Sequence, residues 1–255
     1  MLIGILGGMG PAATVDFMSK LTFMTNAGSD QEHVPVVVLS DPRVPDRSAA
    51  ICGNGPSPLP ALFSGIGKLE AAGATLIAIP CNTSHYWYTH LAARTAVPII
   101  SIIEATLTAT IDETPVGSRV GVIATAGAIA GAIYQKELER EGFIPEVLDP
   151  DTRQRLIEGG IRAVKAGDLA QGRALLNSGL EAFRLAGCQS VILGCTEASV
   201  ALEGTQSAED LCLIDSNCAL VKQVLRKIGR SIKPMPPRHR GHSESRSVMA
   251  DSAST

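Results

Sequence analysis

Two cysteines end apolar runs in this sequence, one in IPCNTSH at residues 79–85 and one in SVILGCTEAS at residues 190–199. Each cysteine is followed at once by small polar residues. A thiol at the turn from a strand into a helix lies at the positive end of the helix dipole, which lowers its pKa and favours the thiolate. Cys81 and Cys195 are therefore candidate acid/base groups, and we expect them to be partly ionised.

Hydroxyl groups flank both thiols. Thr83, Ser84 and Thr196 can donate hydrogen bonds, and the backbone N–H groups of the same turns point to the same place. Such donors bind a substrate carboxylate and stabilise the negative charge that develops as an α-carbon is deprotonated. A thiolate that removes the α-proton from one face and a thiol that returns a proton to the other face would form a two-base racemase.

The remaining cysteines carry no such context. The chain has six cysteines without a CxxC pair or a His spacing suited to zinc, which predicts reduced thiols and no metal site. A single cysteine in an apolar stretch is usually a small buried hydrophobic residue. That interpretation applies to Cys52, Cys188, Cys212 and Cys218.

Composition and charge exclude several classes of protein. The chain has 255 residues, of which 45% are hydrophobic and 18% are charged, so it is globular and large enough for two small domains. A net charge of −3 gives no basic surface for nucleic acid. The N-terminal MLIGILGGMG lacks a basic segment and is interrupted by glycines, which fits neither a signal peptide nor a membrane span. We expect a cytoplasmic protein with no nucleic-acid or membrane partner.

Apolar, β-branched runs alternate with helical stretches along the chain. The predicted strands are 2–6, 34–40, 74–80, 97–101, 119–125, 144–149 and 190–194. Predicted helices include 11–26, 58–73, 129–142, 169–187 and 217–228, and several of them end at a glycine. This alternation predicts an α/β fold with mainly parallel sheets.

The sequence also contains an internal repeat. LIGILGGMGPAATVDFMSKL and RVGVIATAGAIAGAIYQKEL both read as strand, small-residue turn and helix, and a cysteine passage follows each in the same order. We therefore predict two pseudo-symmetric Rossmann-like domains, 1–103 and 104–214, with the helix in 215–230 returning to the first domain. Residues 233–255 have few large apolar side chains, which predicts a disordered tail.

The polar motifs follow the predicted strands. GGMGP, SDPRVPDR, CNTSH, ATAG and GCTE all lie where a strand ends. Ligands of open α/β sheets bind outside the carboxyl ends of the strands. If the two copies face each other, Cys81 and Cys195 enter one cleft from opposite sides, and that cleft is the predicted active site.

The sequence resembles the cofactor-independent aspartate/glutamate racemase superfamily, and most of all its aspartate racemase branch, which includes broad-specificity amino acid racemases. The residues that carry the resemblance are GGMGP, PDRSAAI, GPSP, IPCNTSHYW, LEREGF and LGCTEAS, which span nearly all of residues 1–228. The resemblance implies a two-domain α/β fold, a homodimer, and an isomerase that needs neither pyridoxal phosphate nor a metal. It implies racemisation of aspartate, with glutamate or other amino acids as further possible substrates.

The resemblance also implies roles for nine residues. Cys81 and Cys195 are the acid/base thiols, Arg47 receives a substrate carboxylate, and Lys165 stands where similar proteins place a second cation. The remaining residues bind or surround the substrate's α-carboxylate and amino group: Met9, Asn82, Thr83, Thr125 and Thr196.

Other interpretations stay open from the sequence. One is another isomerase of the superfamily, of the maleate isomerase or glutamate racemase type, and another is a non-catalytic amino-acid-binding protein. Glutamate racemases usually begin with a DSGVGG-like turn and carry His after the second GCT, where this chain has GGMGP and Glu197. His85 either polarises Cys81 or has a structural role, and the YWY triplet at 86–88 is expected at a domain or subunit interface. GGMGP also satisfies a loose dinucleotide-binding pattern, which is weak alone.

Overall fold

The structure is a computed structural model that describes residues 1–203 and 211–235. Within these ranges the strands form two four-stranded sheets in which every neighbouring pair is parallel. The strands are β1 Ile3–Gly7, β2 Val36–Ser40, β3 Leu76–Ala78, β4 Ile99–Ile100, β5 Arg119–Ile123, β6 Ile144–Glu146, β7 Ser190–Leu193 and β8 Cys212–Asp215.

Helices connect the strands. They are α1 Pro11–Met24, α2 Arg47–Ile51, α3 Leu59–Ala71, α4 Tyr88–Arg94, α5 Ile102–Glu113, α6 Ala126–Ala130, α7 Gln135–Arg140, α8 Pro150–Thr152, α9 Gly159–Lys165, α10 Leu169–Leu185, α11 Thr196–Leu202 and α12 Ser216–Lys227. Short 3₁₀ turns occupy Asp30–Glu32 and Thr83–Trp87, and a π-helical turn at Arg153–Glu158 joins α8 to α9. Among the described helices, none has the length and apolar content needed to cross a membrane.

The two sheets share one strand order. The first is β2-β1-β3-β4 and the second is β6-β5-β7-β8. The predicted α/β class with two pseudo-symmetric, parallel sheets is therefore confirmed. All seven predicted strands are present, but β8 was not predicted, because its short CLID run ends in a charged residue and gives no clear strand period.

Side-chain alternation in the strands divides the interior into three cores. Ile3 and Ile5 of β1 and Val120 and Val122 of β5 face a central core, which also receives the apolar side chains of α1, α5 and α12. Leu6 points to the opposite face of the first sheet, where α3 and α4 cover it. An equivalent outer core lies between the second sheet and α9, α10 and α11. The central core therefore joins the two sheets into one body.

Helix α12 packs on α1 and α5. The predicted boundary between 103 and 104 falls inside the first turn of α5, and the domain ranges stay a prediction. Residues near the end of the described chain pair with the end of α1: the Lys233 N–H donates to the Met24 carbonyl over 3.0 Å. Of the predicted disordered tail, residues 236–255 lie outside the described residues.

A buried ion-pair network ties α1 to the end of β8. Lys20 Nζ lies 2.6 Å from Asp16 Oδ2 and 2.7 Å from Asp215 Oδ2. Burial opposes the charge on Lys20, but the two carboxylates outweigh it and raise the pKa of this lysine. The Asn217 amide also donates to Asp16 Oδ2 over 2.8 Å. The network therefore connects the first helix of the first half to the last strand of the second.

Close glycine contacts bring the two halves together at the rim of the cleft. A methyl group on Gly127 of α6 would lie 2.5 Å from Ser48 Cα of α2, so only glycine allows this approach. The Tyr86 ring packs over Gly131 in the same way, since a methyl group there would lie 2.7 Å from the ring. The first residue of the YWY triplet thus lies at a contact between the halves, while Trp87 is buried in the outer core of the first sheet.

Candidate active site

The nine residues selected from the sequence line a single cleft between the carboxyl ends of the two sheets. The cleft encloses about 320 Å³, counting the part open to solvent. The nine residues are Met9, Arg47, Cys81, Asn82, Thr83, Thr125, Lys165, Cys195 and Thr196, and the cleft is completed by Asp46, Ser48 and Glu197. Seven of the nine lie in the turns at the carboxyl ends of β1, β3, β5 and β7, whereas Arg47 begins α2 after β2 and Lys165 ends α9.

The Cys195 thiol is hydrogen-bonded to a carboxylate. Cys195 Sγ lies 3.0 Å from Glu197 Oε2, and both side chains are buried. Burial raises the pKa of Cys195 well above its ordinary value, and the Glu197 carboxylate raises it further, while Lys165 acts in the opposite direction. The expectation of a partly ionised thiol is therefore wrong for Cys195. Desolvation and a neighbouring negative charge outweigh the N-terminus of the short helix α11.

The Glu197 carboxylate lies near the Lys165 ammonium and the N-terminus of α1. Lys165 Nζ lies 4.0 Å from Glu197 Oε1. Burial opposes the charge on Lys165, but the Glu197 carboxylate favours it and the pKa of this lysine is raised, so it is protonated. A methyl group on Gly10, the residue before α1, would lie 3.0 Å from Glu197 Oε1. A carboxylate thus occupies the start of α1, where a dinucleotide phosphate would have to bind, which disfavours that interpretation of GGMGP.

The Cys81 turn is built from neutral groups. Its carbonyl accepts hydrogen bonds from Ser84 Oγ over 2.8 Å and from His85 Nδ1 over 2.9 Å. The Ile102 N–H donates to His85 Nε2 over 3.2 Å, so Nε2 must be the bare nitrogen and Nδ1 carries the proton. Burial lowers the pKa of His85 to about 4, which keeps the ring neutral. His85 therefore holds the backbone of the turn and does not polarise the Cys81 thiol as a cation.

Arg47 links two loops of the first half and keeps part of its guanidinium unused. Nη1 donates to the carbonyls of Val44 and Pro45, each over 3.0 Å, and Nη2 donates to the Met9 carbonyl over 3.3 Å. Nε is buried and has no hydrogen-bond partner among the described residues. Arg47 also lines the cleft, and a guanidinium is the group best suited to receive a carboxylate there.

Hydroxyl groups meet across the cleft. Thr83 Oγ1 and Thr125 Oγ1 lie 2.9 Å apart, one from the first half and one from the second. Thr125 also accepts from the Ala128 N–H over 3.3 Å and so begins α6. The pair ties the Cys81 turn to the turn after β5 and places two hydroxyls on the cleft wall.

Asn82 makes hydrogen bonds behind the cleft that the sequence did not predict. Its amide nitrogen lies 3.0 Å from Ser216 Oγ, and its amide oxygen lies 2.5 Å from Tyr134 Oη. Tyr134 and Ser216 are 52 and 134 residues away from Asn82 along the chain. Because Tyr134 lies in a stretch with an ordinary helical pattern and Ser216 follows the unpredicted β8, no local motif singles them out.

No group of three His, Cys, Asp or Glu side chains that could hold a metal ion is found within residues 1–203 and 211–235. The absence of a metal and of pyridoxal phosphate stays a prediction. What the site offers from its own residues is two thiols, one of them beside a carboxylate, together with two cations and several hydroxyl and amide donors.

Comparison with known proteins agrees with this geometry. The sequence pattern of the Asp/Glu/hydantoin racemase family matches residues 6–224. The chain is 31% identical to the broad specificity amino-acid racemase RacX of Bacillus subtilis (strain 168) over 232 residues, 88% of this chain and 96% of the relative. The structure is similar to that of Picrophilus torridus aspartate racemase, with a TM-score of 0.80, 30% identity, and 91% of this chain and 96% of the other covered.

The fold is also shared with a protein of lower sequence identity. Glutamate racemase from Campylobacter jejuni subsp. jejuni superposes with a TM-score of 0.65 at 21% identity, covering 91% of this chain and 88% of the other, which speaks for the fold alone. The two-sheet α/β fold and the cysteine turn in each half agree with these relatives. The chain belongs to the Asp/Glu/hydantoin racemase family and is an amino acid racemase, an isomerase that acts on a small molecule.

Proposed function

We propose that this racemase interconverts the enantiomers of an acidic amino acid, aspartate first of all, by passing protons between Cys81 and Cys195. The observation that carries the proposal is that equivalent turns of the two halves bring both thiols to one cleft. Aspartate is favoured because the cleft contains two cations, Arg47 and Lys165. The Picrophilus torridus protein, called an aspartate racemase, and RacX, called a broad-specificity enzyme, support an amino acid substrate of this kind.

Two proton transfers make up the proposed reaction. The Cys81 thiolate takes the α-proton and becomes a thiol, and the electron pair of the C–H bond stays on the substrate as a carbanion. The Cys195 thiol then gives its proton to the opposite face of that carbon and becomes a thiolate. The product is the other enantiomer, and the roles of the two thiols are now exchanged, so the enzyme form left after turnover is the one that runs the reaction in reverse.

Glu197 determines which enzyme form is present before substrate binds. The Cys195 thiol donates to Glu197 Oε2, and its raised pKa keeps it protonated at neutral pH. Cys195 therefore starts as the proton donor, which assigns the role of base to Cys81. The opposite form, with a thiolate at Cys195, arises by turnover, and the nearby Lys165 stabilises its charge.

The remaining residues that line the cleft bind the substrate in this proposal. The Arg47 guanidinium and the Lys165 ammonium receive carboxylates, and an amino acid with an acidic side chain supplies two of them. Thr83, Thr196 and the remaining N–H of Asn82 hold the α-carboxylate and the amino group. Met9 and Thr125 form the walls of the cleft at either side.

The proposal includes the assembly and the location expected from the sequence, a homodimer in the cytoplasm that works without pyridoxal phosphate or metal. The homodimer follows from the resemblance to the aspartate racemase branch, and light scattering of the purified protein is the measurement that checks it. Full activity after exhaustive dialysis against a chelator, with no absorbance near that of a bound pyridoxal group, is expected.

The experiment that tests the function uses deuterated water. The purified protein is incubated separately with each enantiomer of aspartate, glutamate and a neutral amino acid such as alanine. Circular dichroism follows inversion, and NMR follows deuterium at the α-carbon. We expect both enantiomers of aspartate to lose optical activity while deuterium enters at the α-carbon. Binding of an amino acid without any exchange would show a non-catalytic binding protein, and the proposal would be abandoned.

A further inference from the structure

Tyr134 contacts both cysteine turns although it belongs to neither. Its hydroxyl donates to Asn82 Oδ1, the residue directly after Cys81. Its ring packs over Gly194, the residue directly before Cys195, where a methyl group would lie 2.7 Å from the ring. Tyr134 is also fully buried, so this position is fixed by packing on all sides.

Ser216 makes a second bridge between the same two turns. Its hydroxyl donates to the Leu193 carbonyl over 2.8 Å, two residues before Cys195, and accepts from the Asn82 amide over 3.0 Å. Because Ser216 has given its only proton to Leu193, Asn82 must turn its nitrogen toward Ser216 and its oxygen toward Tyr134. The two bridges therefore fix one orientation of the amide and leave it one N–H hydrogen.

We infer that Tyr134 and Ser216 are positioning residues that hold the two thiol-bearing turns at the separation and angle that proton transfer to opposite faces requires. The inference rests on the proposed two-thiol reaction. Reacting atoms must be placed to within a fraction of an ångström for efficient transfer, and misplacement by about 1 Å costs roughly 10²-fold in rate. A hydrogen-bond network buried in this way is rigid, since each of its groups would lose its partner if the turns moved.

The network has a consequence for the outcome of each turnover. When the turns are held, a carbanion formed at one thiol is protonated by the other, and the product is inverted. When the turns are loosened, the second thiol is out of place more often, and the first thiol returns a proton to the face it came from. That thiol has exchanged with solvent in the meantime, so the recovered substrate carries deuterium without inversion.

The test compares Tyr134→Phe and Ser216→Ala with the unmodified protein in deuterated water. Both variants keep the packing volume, and Tyr134→Phe keeps the ring on Gly194. We expect kcat to fall roughly 10-fold with KM changed by less than about twofold, as a positional defect predicts. We also expect the ratio of deuterium in recovered substrate to deuterium in inverted product to rise several-fold.

This deuterium ratio separates a positioning defect from a loss of stability. Partial unfolding lowers deuterium in the recovered substrate and in the inverted product by the same factor, so it leaves the ratio unchanged. Tyr88→Phe is the matched control, because it keeps the ring that stacks on His85 and removes only a tyrosine hydroxyl that donates to the Ile99 carbonyl and to neither Asn82 nor Leu193. Its ratio should equal that of the unmodified protein. In an Asn82→Ala background, adding Tyr134→Phe should change the ratio no further, since the tyrosine acts through Asn82.

The possible results distinguish the two proposals. An unmodified protein without α-proton exchange overturns the proposed function, and this inference with it. An active unmodified protein whose ratio is the same in Tyr134→Phe, Ser216→Ala and Tyr88→Phe overturns the positioning role alone. A raised ratio in both bridge variants, with the control unchanged, supports it.

Discussion

The turns at Cys81 and Cys195 occupy equivalent places in the two halves, yet their chemistry differs. Two residues after Cys81 stands Thr83, a neutral hydroxyl, whereas two residues after Cys195 stands the carboxylate of Glu197, hydrogen-bonded to the thiol. Side chains of Ser84 and His85 hold the carbonyl of Cys81, while the carbonyl of Cys195 accepts backbone N–H groups of α11. Symmetry of the fold therefore does not make the site electrically symmetric.

This difference fits what a racemase needs at rest. A two-base mechanism requires one thiolate and one thiol at the same time. Two identical turns would leave the position of the proton undetermined, whereas the Cys195–Glu197 pair places it at Cys195. In the proposed cycle, Lys165, which lies near Glu197, limits the cost of a thiolate at Cys195.

Removing either thiol should have the largest effect on the rate of racemisation. Cys81→Ser and Cys195→Ser should each lower racemisation in both directions by roughly 10²–10⁴-fold, because serine is a far weaker acid/base group at neutral pH. Exchange of the α-proton of a single enantiomer should survive in one of the two variants. Polarimetry and NMR in deuterated water measure the two losses separately.

Cys52→Ser is the matched control, because Cys52 is an exposed thiol outside the cleft. Its activity should equal that of the unmodified protein. Full racemase activity in either cleft variant would contradict the two-thiol mechanism.

The next largest effect is on the stability of the protein in acid, and it arises at the Cys81 turn alone. The folded-state pKa of His85 is about 4, below its ordinary value of 6.5, so the neutral ring stabilises the fold fully above pH 6.5. As the pH falls from 6.5 to 4, the unfolded chain gains a proton that the folded chain cannot take. The free energy of unfolding should fall by about 3 kcal/mol from this group. Urea unfolding at several pH values measures the loss.

His85→Gln should reduce that dependence, since glutamine does not titrate. His90→Gln is the control, because His90 is exposed and its replacement should leave the slope unchanged. An equal slope in all three proteins would show that His85 is not the group responsible.

Glu197→Gln tests the charge at the other turn. Burial still raises the pKa of Cys195 in this variant, but the contribution of the carboxylate is gone, so the pKa falls toward its ordinary value. More thiolate is then present at any given pH, and alkylation of Cys195 by iodoacetamide at about pH 8 should become roughly 10-fold faster. Mass spectrometry of the Cys195 peptide measures the rate.

The Cys81 peptide of the same sample serves as the internal reference, and its alkylation should change much less. In the direction that uses Cys195 as the base, the acidic limb of the pH–rate profile should move to lower pH, because a base must be deprotonated to act. A slower reaction of Cys195 in Glu197→Gln would mean that the carboxylate does not hold the proton on the thiol.

The smallest effect is expected at the hydroxyl pair that joins the halves. Thr83→Val and Thr125→Val keep the shape and remove one hydroxyl of the 2.9 Å contact. Each should lower the free energy of unfolding by about 1 kcal/mol. In a double-mutant cycle, the double variant should lose less free energy of unfolding than the two single variants lose together. Strict additivity would show that the contact contributes nothing.

Much of the fold and of the site could be predicted because the signals are local. Apolar runs separated by helical stretches indicate parallel strands, and the carboxyl ends of parallel strands meet at one edge. The residue pattern therefore places Cys81, Thr125 and Cys195 at strand ends, and in one cleft if the two halves face each other. All three line one cleft in the fold. β8 escaped prediction because its CLID run ends in a charged residue and gives no clear strand period.

The amino-acid sequence was sufficient for the polar turns at the strand ends, the pair of thiols and the family. The charge state around each thiol required the folded molecule, because desolvation and neighbouring charges depend on what packs there. Packing raises the pKa of Cys195, where a helix N-terminus alone predicts a lowered one. It also joins Asn82 to Tyr134 and Ser216, whose hydrogen bonds span 52 and 134 residues of chain and leave no mark in any local pattern.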